Sequence, residues 1–490
     1  MELATDVVVL GAGVGGTAIA GLLAHAGLHV TLLEKNPMIG GSCASYRRDG
    51  FTVDYGTHMF SRGDRGPLNE ALRQMEWPER LEFCTAPVLF RIRGLGLDTL
   101  IPSTRWLLPP VAIWTLLQTG CSHVDLRGVL TLIRDLLFLD ERQIDALDAI
   151  DLATYLEARL PNPRLRVLAQ MIFGTFFVTP TDHCATGEAI WCLRRILAEY
   201  TIGYPRGGAG RIPALYARAA VGRGAIIETG VCITRVDVEG GIAIGVTAED
   251  GRRWRAATVV STLPLQTTIS LAGPQHFPAP YVARVAKTTS SLLAVQVKLG
   301  LSRPLIRSGC LIGGLPLQFS TEEDIRSTLC WTNAVEAGDP RFQMFYCPVP
   351  SNFDPDLAPA GKQLLLACTV APTTRGANGA EGRLHAALTT LVPGLAEATE
   401  WVDIVGAEEL GSFLGKQGVI STAQVVGQVG RDRPDVTTPL PGLFLAGDCA
   451  GARGIGVELA AASAMVCAQR VVDAVRHGQL SRAWTSALHA

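Results

Sequence analysis

Val7-Val8-Val9-Leu10-Gly11-Ala12-Gly13-Val14-Gly15-Gly16 is the stretch on which the fold turns. Its first four residues read as a strand buried on both faces, as in a parallel sheet. The glycines that follow have separate physical tasks. The first permits a tight turn, the second lets the backbone approach a pyrophosphate, and the third lets helix and strand pack closely. A helix over Thr17 to Ala26 and a second buried strand over Val30 to Leu33 complete a βαβ unit. Phosphate then sits at the helix N-terminus, where unpaired N–H groups and the dipole favour negative charge. Glu34 ends the second strand, placed to accept hydrogen bonds from a ribose diol and to disfavour a 2′-phosphate.

The cofactor is decided more than 400 residues later. Leu443 to Ala446 is another buried strand, ending in Gly447-Asp448 and followed by Gly451, Gly454, Gly456 and a helix over Val457 to Val475. Asp448 is placed to accept from ribityl hydroxyls, and the helix N-terminus to face the pyrimidine edge of a flavin. A double glycine, Gly40-Gly41-Ser42, follows the ribose-binding acid, as in FAD proteins rather than NAD proteins. The expected cofactor is FAD. Its expected contacts are Gly11, Ala12, Gly13, Val14, Gly15, Gly16, Glu34, Lys35, Gly40, Gly41, Ser42, Gly56 and Thr57 from the N-terminal part. Ile233, Gly447, Asp448, Gly456 and Val457 complete the set.

Between these ends, Ser45 to Arg48 and Phe51 to Tyr55 flank Asp49-Gly50, a dipeptide suited to a type I′ hairpin turn. Residues 68 to 200 read mainly as helix, with leucine-rich periodic segments such as Leu126 to Leu139. Ile226 to Val236, Ile242 to Thr247, Arg252 to Ala256 and Thr258 to Thr262 read as strands. Residues 270 to 425 mix strands, Leu292 to Leu299 and Gln363 to Val370 among them, with short helices.

At these motifs the chain resembles the FAD-dependent superfamily of phytoene desaturases, carotenoid isomerases, retinol saturases and amine oxidases. Tyr204-Pro-Arg-Gly207-Gly208-Ala-Gly210, leading to Gly230-Val-Cys-Ile233-Thr-Arg-Val236, is similar to a block of that family in which the Ile233 backbone is expected to meet the adenine. Ala256 to Thr262 and Pro350-Ser351 through Pro359-Ala-Gly361 match further blocks. Gly40-Gly41-Ser42-Cys43 with Asp49 to Gly56 is closer to the carotenoid isomerase and saturase branch. Departures from the amine oxidase pattern are Ser42 in place of an arginine, no aromatic residue over Cys449 to Glu458, and Lys298 late in its strand.

The resemblance implies an α/β fold. A Rossmann-type FAD-binding domain is assembled from residues 1–67, 201–268 and 428–490. An α+β substrate domain of helices and a mixed sheet, with a helical lipid-facing part, takes residues 68–200 and 269–427. The implied activity is desaturation, saturation or cis/trans isomerisation of C–C bonds in a hydrophobic polyene or isoprenoid. With a single dinucleotide fingerprint, oxygen, a quinone or another acceptor would take the electrons. Competing readings are a flavin amine oxidase, a flavin-dependent reductase of a smaller activated alkene, and a non-catalytic prenyl-binding protein of the Rab GDP dissociation inhibitor type. Candidate proton-handling residues are His58, His183 and Glu188. Glu458 is expected either to tune the flavin or to serve the helix dipole.

Composition suits a greasy pocket or membrane contact and equally a large, well-filled α/β core. The 490 residues are 48% apolar and 18% charged, with mean hydropathy +0.25. A net charge of −2 gives nucleic acid no footing as a partner. Twelve cysteines are scattered without metal-ligand spacing, so no metal is expected and the thiols read as reduced and mostly buried. Cys43 and Cys449, inside cofactor motifs, are the two to watch. The chain opens without a basic and apolar leader pattern, and the expected location is cytoplasmic, with peripheral membrane contact left open. Trp106 to Leu117 is the longest apolar stretch, too short to span a bilayer, and reads as core or as an element dipping into one leaflet.

Overall fold

The computed structural model of the chain describes residues 2–56, 59–319, 321, 324–325, 343–371 and 379–476. Two seven-stranded sheets dominate it. In the first, Ile226–Thr229, Val30–Glu34, Glu2–Leu10, Arg253–Ser261 and Leu443–Leu445 lie parallel in that order. Arg253–Ser261 is long enough to serve two neighbours along one edge. Its start pairs antiparallel with Ile242–Ala248, and its end pairs parallel with Leu443–Leu445. Val7 to Leu10 are all buried, as a central parallel strand covered on both faces requires.

One face of this sheet is covered by the helix Val14–His25, which packs between Arg211–Val221 and Gly456–Arg476. The other face packs against Leu265–Ala272. The first helix begins at Val14 rather than Thr17, because Gly15 and Gly16 are already helical. Gly16 there has no freedom to change: a Cβ would stand 1.7 Å from the Gly11 carbonyl oxygen. The run expected as one strand over Ile226 to Val236 is two. The break at Gly230, φ +72°, sends Ile226–Thr229 to one end of the sheet and Ile233–Glu239 to the other. Arg252 to Thr262, expected as two strands, is the single strand Arg253–Ser261. In the hairpin Ser45–Arg48/Phe51–Asp54, Asp49 and Gly50 both have positive φ, as a type I′ turn demands.

The second sheet runs Thr399–Val405, Leu293–Leu301, Gln363–Ala371, Gln343–Pro348, Cys310–Leu315, Val88–Gly94, Leu97–Pro102. It is antiparallel except where Cys310–Leu315 meets Val88–Gly94 in parallel. Beside it lies a helical layer that includes Leu108–Gln118, His123–Phe138, Glu141–Leu147, Leu152–Glu157, Pro163–Phe177 and Thr186–Glu199. Its starts are written in the sequence. Ser122 with Asp125, and Asp140 with Gln143, form reciprocal capping boxes.

No described residue covers the outer face of this layer. Trp106 is 80% exposed, Leu117 69% and Phe138 76%, and Ile113, Trp114, Leu130 and Leu137 are exposed with them. The Trp106 to Leu117 stretch is therefore not core. No described helix is long and apolar enough to cross a membrane.

Candidate functional site

The two glycine-rich ends of the chain meet. A Cβ on Gly15 would stand 2.9 Å from Gly447 Cα, so only glycine lets the N-terminal helix start abut the C-terminal strand end. The double-glycine loop lies on the same point. Gly40 N–H donates to the Ala12 carbonyl at 2.8 Å, and a Cβ on Gly41 would come within 3.3 Å of Gly13 Cα. Around this junction opens a cavity running from the parallel sheet to the second sheet.

Gly11, Gly13, Val14, Gly15, Glu34 and Lys35 border this cavity, as do Gly41, Ser42, Gly56 and Ile233. Gly447, Asp448, Gly456 and Val457 border it from the C-terminal side. Ala12, Gly16 and Gly40 sit behind the lining and shape it. Thr57 and His58 lie outside the described residues.

The lining fits a dinucleotide. Gly13 has nothing within 4 Å of its Cβ position, a cradle that any side chain would fill. The helix beginning at Val14 has no side-chain cap and no acid in its first turn, leaving its N–H groups for an anion. Glu34 is buried, with Oε2 accepting from Ala12 N–H at 2.7 Å and Oε1 from Asn36 N–H at 2.9 Å. These bonds fix its carboxylate at the cavity wall.

Asp448 is held at the cavity wall by a partner that sequence reading missed. Lys416 Nζ donates to Asp448 Oδ2 at 2.7 Å and Ser421 N–H to the same oxygen at 3.2 Å. Burial works to raise the Asp448 carboxyl, but the Lys416 charge and these hydrogen bonds hold it below the usual range. Both contacts fall on Oδ2, and no hydrogen bond falls on Oδ1 among the described residues. No spacing in the sequence signalled Lys416, since 32 residues separate it from its partner.

Glu458 accepts from the Ser61 and Arg62 N–H groups, each at 2.9 Å, tying the C-terminal helix to the loop after the hairpin. Its burial raises its carboxyl against those hydrogen bonds. Glu188 does not border the cavity. It is fully buried behind the Gly454 loop, with Oε2 at 2.7 Å from Arg453 Nη1 and Oε1 accepting from Gly454 N–H at 2.7 Å. Asp145 and Asp148 share Arg453, which joins the helical layer to the C-terminal cofactor motif. His183 is exposed and also outside the lining. Neither residue is placed to pass a proton to a bound substrate.

Cys43 and Cys449 are fully buried, and burial drives both thiols up, that of Cys449 to about 12, so neither is a thiolate at neutral pH. Lys298 also leaves the site. It lies under the hairpin, 5.2 Å from the Tyr46 and Tyr55 rings, and burial lowers its ammonium to about 8.

The second sheet closes the cavity with Ala294, Gln296, Met344, Tyr346, Cys368 and Val370, and the helical layer adds Phe176. No charged side chain of that sheet reaches the lining among the described residues. The arrangement offers a polar, glycine-rich cleft at one end and an apolar chamber at the other.

Comparison with known proteins agrees with this geometry. The family model described as flavin containing amine oxidoreductase matches residues 14–472. Human all-trans-retinol 13,14-reductase is 26% identical over 236 residues, 42% of this chain and 38% of that protein's length. The chloroplastic prolycopene isomerase of Arabidopsis thaliana is 25% identical over 521 residues, 95% of this chain and 82% of that protein. Among solved structures, an oxidoreductase from Methanosarcina mazei superposes with TM-score 0.72 at 21% identity, over 95% of this chain and 99% of that one.

Proposed function

Because the chain belongs to the flavin containing amine oxidoreductase family and is thereby an FAD-dependent oxidoreductase, we propose that its substrate is a hydrophobic polyene or isoprenoid, altered at its C–C bonds. The observation that carries this reading is the apolar chamber continuous with the cofactor cleft. A hydrocarbon chain needs a lined enclosure and few polar groups. We also read the parallel sheet as a Rossmann-type domain, with FAD held by the Gly11 to Gly16 loop, Glu34, Gly41 and Asp448.

Bound FAD supplies a two-electron acceptor or donor. The chain's own work is to bind, orient and exclude water. The uncapped helix start at Val14 receives the pyrophosphate. Glu34 and Asp448 take hydroxyl groups. Met344, Val370 and Phe176 keep the reacting end dry. His58 remains the proposed proton-handling group, and oxygen, a quinone or another small acceptor the proposed electron partner.

The uncovered apolar face over Trp106 to Phe138 is proposed to rest on a lipid surface, from which an insoluble substrate would be drawn. Two tryptophans on it, Trp106 and Trp114, suit the boundary between headgroups and acyl chains. Amine oxidation is disfavoured by a substrate chamber whose sheet side, among the described residues, presents no carboxylate to an ammonium group.

The test is incubation of the holoprotein, flavin oxidised and then reduced, with polyene and isoprenoid extracts followed by mass spectrometry. Gain or loss of the mass of H2 marks saturation or desaturation, and a retention shift at constant mass marks isomerisation. Turnover of simple amines with peroxide release, and of no lipid, would overturn the reading.

A further inference from the structure

The chamber wall formed by the second sheet is not uniformly apolar. Register places Gln296 opposite Cys368, and Tyr346 opposite Cys368 on its other side. The three side chains therefore form one row across three adjacent strands, and all three border the cavity. Two residues along each strand, Ala294, Val370 and Met344 form an apolar row. Within the polar row, the Tyr346 hydroxyl lies 3.4 Å from Cys310 Sγ.

Gln296 stands apart. It is 2% exposed, and its Oε1 has no hydrogen-bond partner. Its Nε2 also makes no hydrogen bond among the described residues, and the side chain faces the cavity. Burying a carboxamide without partners is costly, and native interiors rarely leave one so. On a central strand, between Val295 and Val297 and beside Ala294, an aliphatic side chain would fill the same space without that cost. The unmet donor and acceptor are aimed at whatever occupies the chamber.

We propose that the Gln296 carboxamide recognises a hydroxyl group on an otherwise apolar substrate, so that the chamber selects an isoprenoid alcohol over the hydrocarbon of equal length. A hydroxyl both donates and accepts, and so can satisfy Oε1 and Nε2 together, whichever way the amide is turned. The isoprenoid part of this statement rests on the proposed function, whereas the hydroxyl part rests on Gln296 alone.

The experiment titrates FAD-loaded protein with two pairs of probes, reading perturbation of the flavin absorbance band. One pair is geranylgeraniol and its deoxy hydrocarbon, and the other is decan-1-ol and decane. The wild-type protein should bind the alcohol at least about tenfold more tightly than its hydrocarbon, the worth of one satisfied buried hydrogen bond. Gln296→Met should bring the two affinities together by weakening the alcohol alone. Its thermal midpoint should be equal or higher, since an unpaired amide is removed. Three results would overturn the hydroxyl proposal: equal binding within a pair by the wild type, a preference that survives in Gln296→Met, or a shifted flavin spectrum in the ligand-free variant. Binding of the decane pair with alcohol preference, but not of the geranylgeraniol pair, would sink the isoprenoid reading and leave Gln296 its role. Silence of both pairs would overturn both.

Discussion

Replacing Glu34 with alanine removes one carboxylate that performs two tasks, and the two can be measured separately. In the protein without ligand, Glu34 holds the Ala12 and Asn36 N–H groups at 2.7 and 2.9 Å. Each buried donor left unpaired costs about 1–3 kcal/mol, less where water can enter from the cavity. The apoprotein should therefore lose about 2–4 kcal/mol of stability. That loss is common to apo and holo states and cancels from the binding constant. What remains is the ribose contact. A hydrogen bond to a charged acceptor contributes about 1.5–3 kcal/mol, so the Kd for FAD should rise about tenfold to a hundredfold. At fixed FAD, a thirtyfold weaker Kd removes a further ~2 kcal/mol from the holoprotein through mass action. Glu34→Gln should fall between. Its single carbonyl can accept one of the two amides, while its NH2 opposes the other and the charge is gone. Fluorescence titration of apoprotein with FAD gives the Kd, and thermal unfolding with and without FAD gives the two stabilities. An unchanged Kd beside a lower apoprotein midpoint would confine Glu34 to bracing its own loop and refute the ribose assignment.

Lys298 should make stability rise on the alkaline side. Its native value of about 8 lies below the ordinary 10.5, so between these values the unfolded chain binds the extra proton and stability increases with pH, by about 3 kcal/mol in total. Because the buried thiols and phenols lower stability over the same range, the test is the difference in unfolding free energy between wild type and Lys298→Met. That difference should move in favour of the wild type by about 3 kcal/mol from pH 7 to 11. Arg453→Met strips Asp145, Asp148 and Glu188 of their shared cation, and should cost about 3–5 kcal/mol in denaturant titration. A change under 1 kcal/mol would mean that the cluster is not holding the helical layer to the cofactor motif. Trp106→Ser with Leu117→Ser should leave flavin content and thermal midpoint unchanged while releasing protein from phosphatidylcholine/phosphatidylglycerol liposomes. Equal sedimentation before and after would count against membrane contact. If His58 handles a proton, His58→Gln should lower kcat about a hundredfold or more without a matching loss of FAD, and an unaltered kcat would dismiss it.

Much of the glycine-rich cleft is legible in the amino-acid sequence, because a backbone in close approach constrains residue type locally. Gly11 to Gly16, Gly40-Gly41 and Gly447-Asp448 read as contacts since only glycine tolerates such approach, and strand-flanked acids at Glu34 and Asp448 have few other uses. The strands themselves follow from runs such as Val7 to Leu10, whose continuous apolar character belongs to a sheet covered on both faces. Boundaries fail where a glycine changes the direction of a run, as at Gly230. They fail too where one strand serves two neighbours, as Arg253–Ser261 does.

Composition suggests greasy surface but does not place it. Whether Trp106 to Leu117 is core or exposed depends on whether another element covers it, and no described residue covers the side that carries Trp106, Ile113, Trp114 and Leu117. The candidate acids and bases show the same limit. Glu188 and His183 carry the right chemistry, but burial behind Arg453 and exposure at the surface remove them from the cavity. Lys416 and Gln296 become visible only through partners, or missing partners, brought together from distant parts of the chain. Local backbone demands are written in consecutive residues and so determine the glycine-rich cleft and the βαβ start. The polarity of the chamber wall arises where separate strands fall into register, and only the tertiary structure decides that.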